Sequence, residues 1–98
     1  MESLPKHPKQ AEILVYSKSY CPYCVAAMNL LTQKGVAFSV VDVTSDREAY
    51  EKMLKIAAPR RTVPQIIVDN VCLGGFDDIK ALDDEEKLET LLFPKGRN

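Results

Sequence analysis

Apolar residues follow two periods along the chain, and the switches between them mark its elements. Glu12–Tyr16 (EILVY) is short, apolar and rich in branched and aromatic side chains, which predicts a buried strand. After a short loop, Ser17–Tyr20, the stretch Cys21-Pro22-Tyr23-Cys24 opens a segment of helical period, with Val25, Met28, Leu30 and Leu31 as its apolar stripe. Pro22 suits the first helical position, where a missing N–H costs nothing, and Gly35 suits the stop. Ala37–Val43 (AFSVVDV) returns to strand character. Strand, helix and strand over this length form one βαβ unit, which requires parallel strands and a right-handed crossover.

The spacing of Ser45 and Glu48 predicts a capping box for a second helix, with Tyr50, Met53, Leu54 and Ala57 on one face and Pro59 at its end. Thr62-Val63-Pro64 then leads into a strand at Gln65–Val68. Asp69-Asn70 tolerates positive φ and predicts a tight hairpin to Val71-Cys72-Leu73. Gly74-Gly75 break that strand, and Asp77 or Asp78 caps a short helix through Leu82. Glu85–Phe93 forms a last helix with Leu88, Leu91 and Leu92 inward. The expected architecture is α/β, a four-stranded mixed sheet covered by helices.

Length and composition narrow the function. Ninety-eight residues suffice for one domain and one core. Lys and Arg total 13 against 14 Asp and Glu, so no basic excess exists to hold a phosphate backbone, and nucleic acid is not an expected partner. Apolar runs never exceed five residues, too short to cross a membrane as a helix. Residues 1–10 carry Pro5, Pro8, Lys6 and Lys9 without an apolar leader core, and read as a polar arm ahead of a domain spanning 11–98. His7, in that arm, reads as a solvated side chain. Three cysteines are too few for a stapled secreted scaffold, and the odd count fits a reducing, cytoplasmic setting.

The cysteine pair carries the chemistry. Residues three apart at a helix start face the same side, so Cys21 and Cys24 can approach closely enough for an S–S bond. Cys21 falls at the N-cap, where unpaired N–H groups and the positive end of the helix dipole favour a thiolate. Cys24 lies one turn inside and is better shielded. A structural zinc site needs four ligands, and only Cys72 and His7 remain to supply them, one in a strand and one in the arm. A CxxC that follows a first strand and opens a crossover helix is a redox signature.

Cys21-Pro22-Tyr23-Cys24, Thr62-Val63-Pro64 and Gly74-Gly75-Phe76-Asp77-Asp78 occur in the order found in dithiol glutaredoxins. From about Glu12 to Leu92 the chain resembles that thioredoxin-like family. Thioredoxin itself fits poorly, because its site carries Trp and this sequence has none. The resemblance implies glutathione as co-substrate and no permanently bound cofactor. It makes Pro64 cis, turning the Val63 backbone toward Cys21 and the cysteinyl part of glutathione, with Thr62 alongside. It places Phe76 and Asp77 at a helix start that suits the γ-glutamyl carboxylate, with Asp77 or Asp78 meeting the adjacent amine. Tyr23 borders the groove. Lys18 stabilises the thiolate or meets the glycyl carboxylate, and Arg61, then Arg60, are further candidates for that carboxylate. Cys72 reads as a small buried hydrophobe without a catalytic part.

The implied function is glutathione-dependent reduction of protein–glutathione mixed disulfides and protein disulfides by a monomer. Its partners are glutathione or a related thiol and the disulfide-bearing or glutathionylated proteins. A second reading, from another class, is a carrier that holds a [2Fe–2S] cluster through the first cysteine and glutathione. Relatives that do so more often have Gly or Ser where Pro22 stands.

Overall fold

The computed structural model describes residues 5–98. Four strands, β1 (Ile13–Ser17), β2 (Ser39–Asp42), β3 (Gln65–Val68) and β4 (Val71–Gly74), form one sheet in the order β2-β1-β3-β4. β1 runs parallel to β2, with Val15 beside Val40, and antiparallel to β3, with Val15 beside Ile66. The parallel pair is joined through α1 (Pro22–Gln33), as the βαβ reading requires. β3 and β4 are joined by Asp69 and Asn70, whose φ values of 48° and 66° are those of the tight hairpin turn.

Alternation along β1 and β3 supplies both faces of the core. Ile13 and Val15 of β1, with Ile66 and Val68 of β3, pack with Leu31 of α1, Ile79 of α3 (Phe76–Asp84), and Leu88 and Leu92 of α4 (Leu88–Leu92). Tyr16 and Ile67 face the opposite side and meet Ala49 and Met53 of α2 (Arg47–Ala57). Met53 is fully buried there, an apolar burial worth about 1.5–3 kcal/mol.

Several boundaries differ from the sequence reading, each for a physical reason. The cap of α2 is Asp46, not Ser45: its carboxylate accepts the Ala49 N–H at 3.0 Å. Val25 is half exposed, and the inward face of α1 is Cys24, Ala27, Leu30 and Leu31. The last helix is shorter than expected. α3 continues to Asp84, Glu86 turns the chain at a φ of 61°, and Leu91 faces outward. β2 is a short, largely exposed edge strand rather than the whole of Ala37–Val43.

The described part of the polar arm is tied to the domain. Gln10 is buried, donates through Nε2 to the Ala37 carbonyl at 2.8 Å, and accepts the Ala37 N–H at 2.9 Å. The half-buried His7 ring packs edge-on against Phe93, with centroids 5.0 Å apart, which corrects the solvated reading of His7. Among the described residues no helix is long and apolar enough to cross a membrane.

Candidate active site

Tyr20, at a φ of 57°, turns the chain from β1 into α1 and leaves Cys21 as the N-cap. Ser, Asp or Asn oxygen usually fills that place; here Cys21 Sγ accepts the Cys24 N–H at 3.2 Å. Pro22 follows at the first helical turn and adds no orphan N–H. The sulfur thus receives one backbone N–H at the start of the helix. Cys24 is 1% exposed, and burial pushes its thiol up from the ordinary value of 9.0, with the neighbouring Cys21 sulfur acting in the same direction. Both are free thiols, as is Cys72. One sulfur of the pair is therefore accessible and capped by an amide, and the other is enclosed and held protonated.

Next to this turn lies a groove of about 300 Å³. Its wall comes from three places in the chain. Tyr23 contributes from α1, and Arg60, Thr62, Val63 and Pro64 come from the connection between α2 and β3. Gly75, Phe76, Asp77 and Asp78 come from the start of α3. The Tyr23 and Phe76 rings, 6.3 Å apart and tilted by 31°, make its apolar side. The Val63–Pro64 bond is cis, and so is Ala58–Pro59, which the sequence reading did not foresee. Pro64 lies so close to Gly75 that a Cβ on the latter would stand 3.3 Å from the Pro64 carbonyl oxygen.

The aspartates at the α3 start are not equivalent. Asp78 reaches back to accept the Gly75 N–H at 2.8 Å, closing the helix start. Hydrogen bonding from Arg60, with smaller help from the Gly75 amide, holds its carboxyl below the usual carboxylate range. Asp77 is exposed on the groove. Lys18 is exposed, is not one of the residues lining the groove, and carries its Nζ 5.8 Å from the Tyr50 ring centroid. The structure thus brings together Tyr23, Thr62, Val63, Pro64, Phe76, Asp77 and Asp78 beside the cysteine turn, and leaves Lys18 on the α2 side.

Two residues gain weight from the structure. Arg60, ranked behind Arg61 by sequence, lines the groove and pairs with Asp78. Gln65 is fully buried and donates to the Thr62 carbonyl at 2.9 Å. Its signal was a polar side chain opening an otherwise apolar strand, directly after Pro64.

A family model described as Glutaredoxin matches residues 13–73. A probable glutaredoxin of Synechocystis is 45% identical over 82 residues, which cover 84% of this chain and 93% of that protein. Among solved structures, the glutaredoxin of Brucella melitensis superposes with a TM-score of 0.77 at 36% identity, over 90% of this chain and 95% of the other. A buckwheat glutaredoxin–glutathione complex gives a TM-score of 0.76 at 28% identity, covering 89% and 81%. The family match begins with β1 and runs into β4, and so includes the cysteine turn and the Thr62–Pro64 part of the groove wall rather than the CxxC alone. On that breadth the chain belongs to the glutaredoxin family.

Proposed function

We propose that Cys21 is the nucleophile of a glutathione-dependent thiol–disulfide oxidoreductase, with Cys24 as its resolving thiol. The activity class follows from the family. The observation that carries the assignment of roles is the bond from the Cys24 N–H to Cys21 Sγ, at an accessible helix start beside the groove. The same turn encloses the Cys24 sulfur.

Two reactions follow. The Cys21 thiolate attacks the glutathione sulfur of a mixed disulfide, the protein leaves as its thiol, and Cys21 becomes glutathionylated. A second glutathione thiolate then attacks the glutathione sulfur of that bond, giving glutathione disulfide and restoring Cys21. With a protein disulfide, Cys21 bonds to one protein sulfur and frees the other. Cys24 then loses its proton and attacks Cys21 Sγ, releasing the second protein thiol and closing Cys21–Cys24, which two glutathiones reopen. Glutaredoxin potentials near roughly −200 to −230 mV let the glutathione pool recharge such a site.

Glutathione is the proposed occupant of the groove. Its extended backbone fits beside Val63 as a short piece of sheet, its apolar stem against Tyr23 and Phe76, and its charged ends against polar residues of the walls. The buckwheat relative's complex with glutathione supports this occupant. Glutathionylated or disulfide-bearing proteins are the proposed partners of a monomer in the cytoplasm. Pro22 between the cysteines favours this reading over a cluster carrier.

The test is NADPH-linked reduction of a small glutathione mixed disulfide with glutathione and glutathione reductase present. Turnover that requires both, and disappears in Cys21→Ser, is the expected result. Turnover driven by thioredoxin reductase without glutathione overturns the reading.

A further inference from the structure

The groove contains an ion pair that the thiol chemistry does not use. Arg60 grips Asp78 with both ends of its fork: Nη1 donates to Oδ2, and Nη2 to Oδ1 at 3.2 Å. Oδ2 also accepts the Gly75 N–H. The carboxylate of Asp78 is thereby occupied by two guanidinium nitrogens and one amide.

The backbone is shaped around this pair. Gly74 has a φ of 110°, and a Cβ there would stand 2.8 Å from Arg60 Nη1 and closer still to the Asp78 carboxylate. The ion pair sits in space that only glycine leaves open, which separates it from a loose surface contact. Asp77, on the same groove, has no hydrogen-bond or ion-pair partner among the described residues.

A guanidinium carries five N–H donors, of which the fork to Asp78 uses two. The Arg60 side chain keeps 48% of its surface exposed. A planar cation fixed in this way, with donors to spare, is a preorganised receptor for a second carboxylate. We propose that Arg60 is a specificity-determining residue that receives a substrate carboxylate. Asp78 is the positioning residue that holds it, and of the two aspartates expected from the sequence to meet the substrate ammonium this leaves Asp77. The proposal rests on the glutathione reading: the γ-glutamyl end bears a carboxylate and an ammonium on one carbon, which a fixed cation beside an unpaired anion matches.

The experiment follows single turnover of the reduced protein, in excess, with mixed disulfides of one fluorescent thiol. The partner transferred to Cys21 is glutathione, γ-aminobutyryl-cysteinyl-glycine (no α-carboxylate) or glutaryl-cysteinyl-glycine (no ammonium), and the fluorescent thiol leaves. Half-saturation and maximal rate are read separately. Arg60→Met and Asp78→Asn should each raise half-saturation for glutathione on the order of tenfold, the loss of one charge-assisted contact. Neither should alter it for the analogue without carboxylate, and the double variant should be no worse than either single one. Arg60→Lys should recover part of the loss. Asp77→Asn should weaken glutathione but not the analogue without ammonium.

Tighter glutathione in Arg60→Met would make the pair a plug and overturn the proposal. So would an Asp78→Asn protein that no longer distinguishes the ammonium, or variants that match the parent on every substrate. Absence of any turnover of the glutathione disulfide by the parent protein would instead bring down the proposed function.

Discussion

Gln65 donates its side-chain amide to the Thr62 carbonyl across 2.9 Å, while its Oε1 accepts the Cys72 thiol at 3.3 Å. The side chain is fully buried between the groove-lining loop and the edge strand β4. A buried amide of this kind holds backbone in place because leaving its partners unpaired is costly. It is the link by which the sheet sets the position of Thr62 and Val63.

Gln65→Leu should therefore cost about 1–3 kcal/mol of stability, since it leaves the Thr62 carbonyl without its donor. In the folded fraction it should also raise half-saturation for the glutathione mixed disulfide with little change in maximal rate. Cys72→Val, which removes only a weak S–H donor, should be mild in both. Urea unfolding and saturation kinetics on the same preparations check this; a Gln65→Leu protein as stable as its parent would remove Gln65 from the account.

The two active-site sulfurs should separate by reaction. Cys24→Ser should keep deglutathionylation, which needs one nucleophile and an external thiol, and should lose most protein-disulfide reduction. Cys21→Ser should lose both. In Cys21→Ser, thiolate absorbance of Cys24 should appear only above the ordinary value of 9.0, because burial, the first cause of its shift, survives the substitution. Titration at or below that value, or equal loss of both reactions in folded Cys24→Ser, would undo the assignment.

Much of this arrangement was legible in the chain because it is local. The cysteine turn, the hairpin at Asp69-Asn70 and strand β3 follow from residues adjacent in sequence. What was not legible depends on tertiary contact. Asp46 and Ser45 are both good caps, and only the path of the chain into α2 selects Asp46. Sequence ranks Arg61 ahead of Arg60 for its place beside Thr62, and only the start of α3, which brings Asp78 against Arg60, raises Arg60. Lys18 has the family's spacing from Cys21, yet its stem lies toward Tyr50, a neighbour from α2 that no local pattern announces.

The Arg60–Asp78 pair predicts a pH signature. Asp78 has its folded carboxyl pKa depressed, first by Arg60, so its contribution to stability is present above the unfolded value of 3.8. It is lost as pH falls through the depressed folded value. In Arg60→Met the carboxyl should titrate closer to 3.8, and the acid limb of stability should move up in pH with it. With side chains 48% and 35% exposed, screening keeps the stability effect small, so the direct readout is the carboxyl carbon resonance of Asp78 followed by NMR. An unmoved titration in Arg60→Met would mean the pair does not form in solution.

Gly74→Ala isolates the cradle around that pair. Alanine at a φ of 110° is strained wherever it occurs, at about 1–3 kcal/mol. Here the added methyl also meets the Asp78 carboxylate and Arg60 Nη1. Gly96→Ala supplies the comparison, since its φ of 86° is likewise positive but nothing lies within 4 Å of the new Cβ. Both variants should lose stability, and Gly74→Ala should lose more. Only Gly74→Ala should raise half-saturation for the glutathione mixed disulfide, because only there does the methyl push the guanidinium from its seat. Thermal melts and saturation kinetics on the two proteins decide it. Equal losses of stability with unchanged kinetics would show that Gly74 answers to backbone geometry alone and that the pair has room to spare.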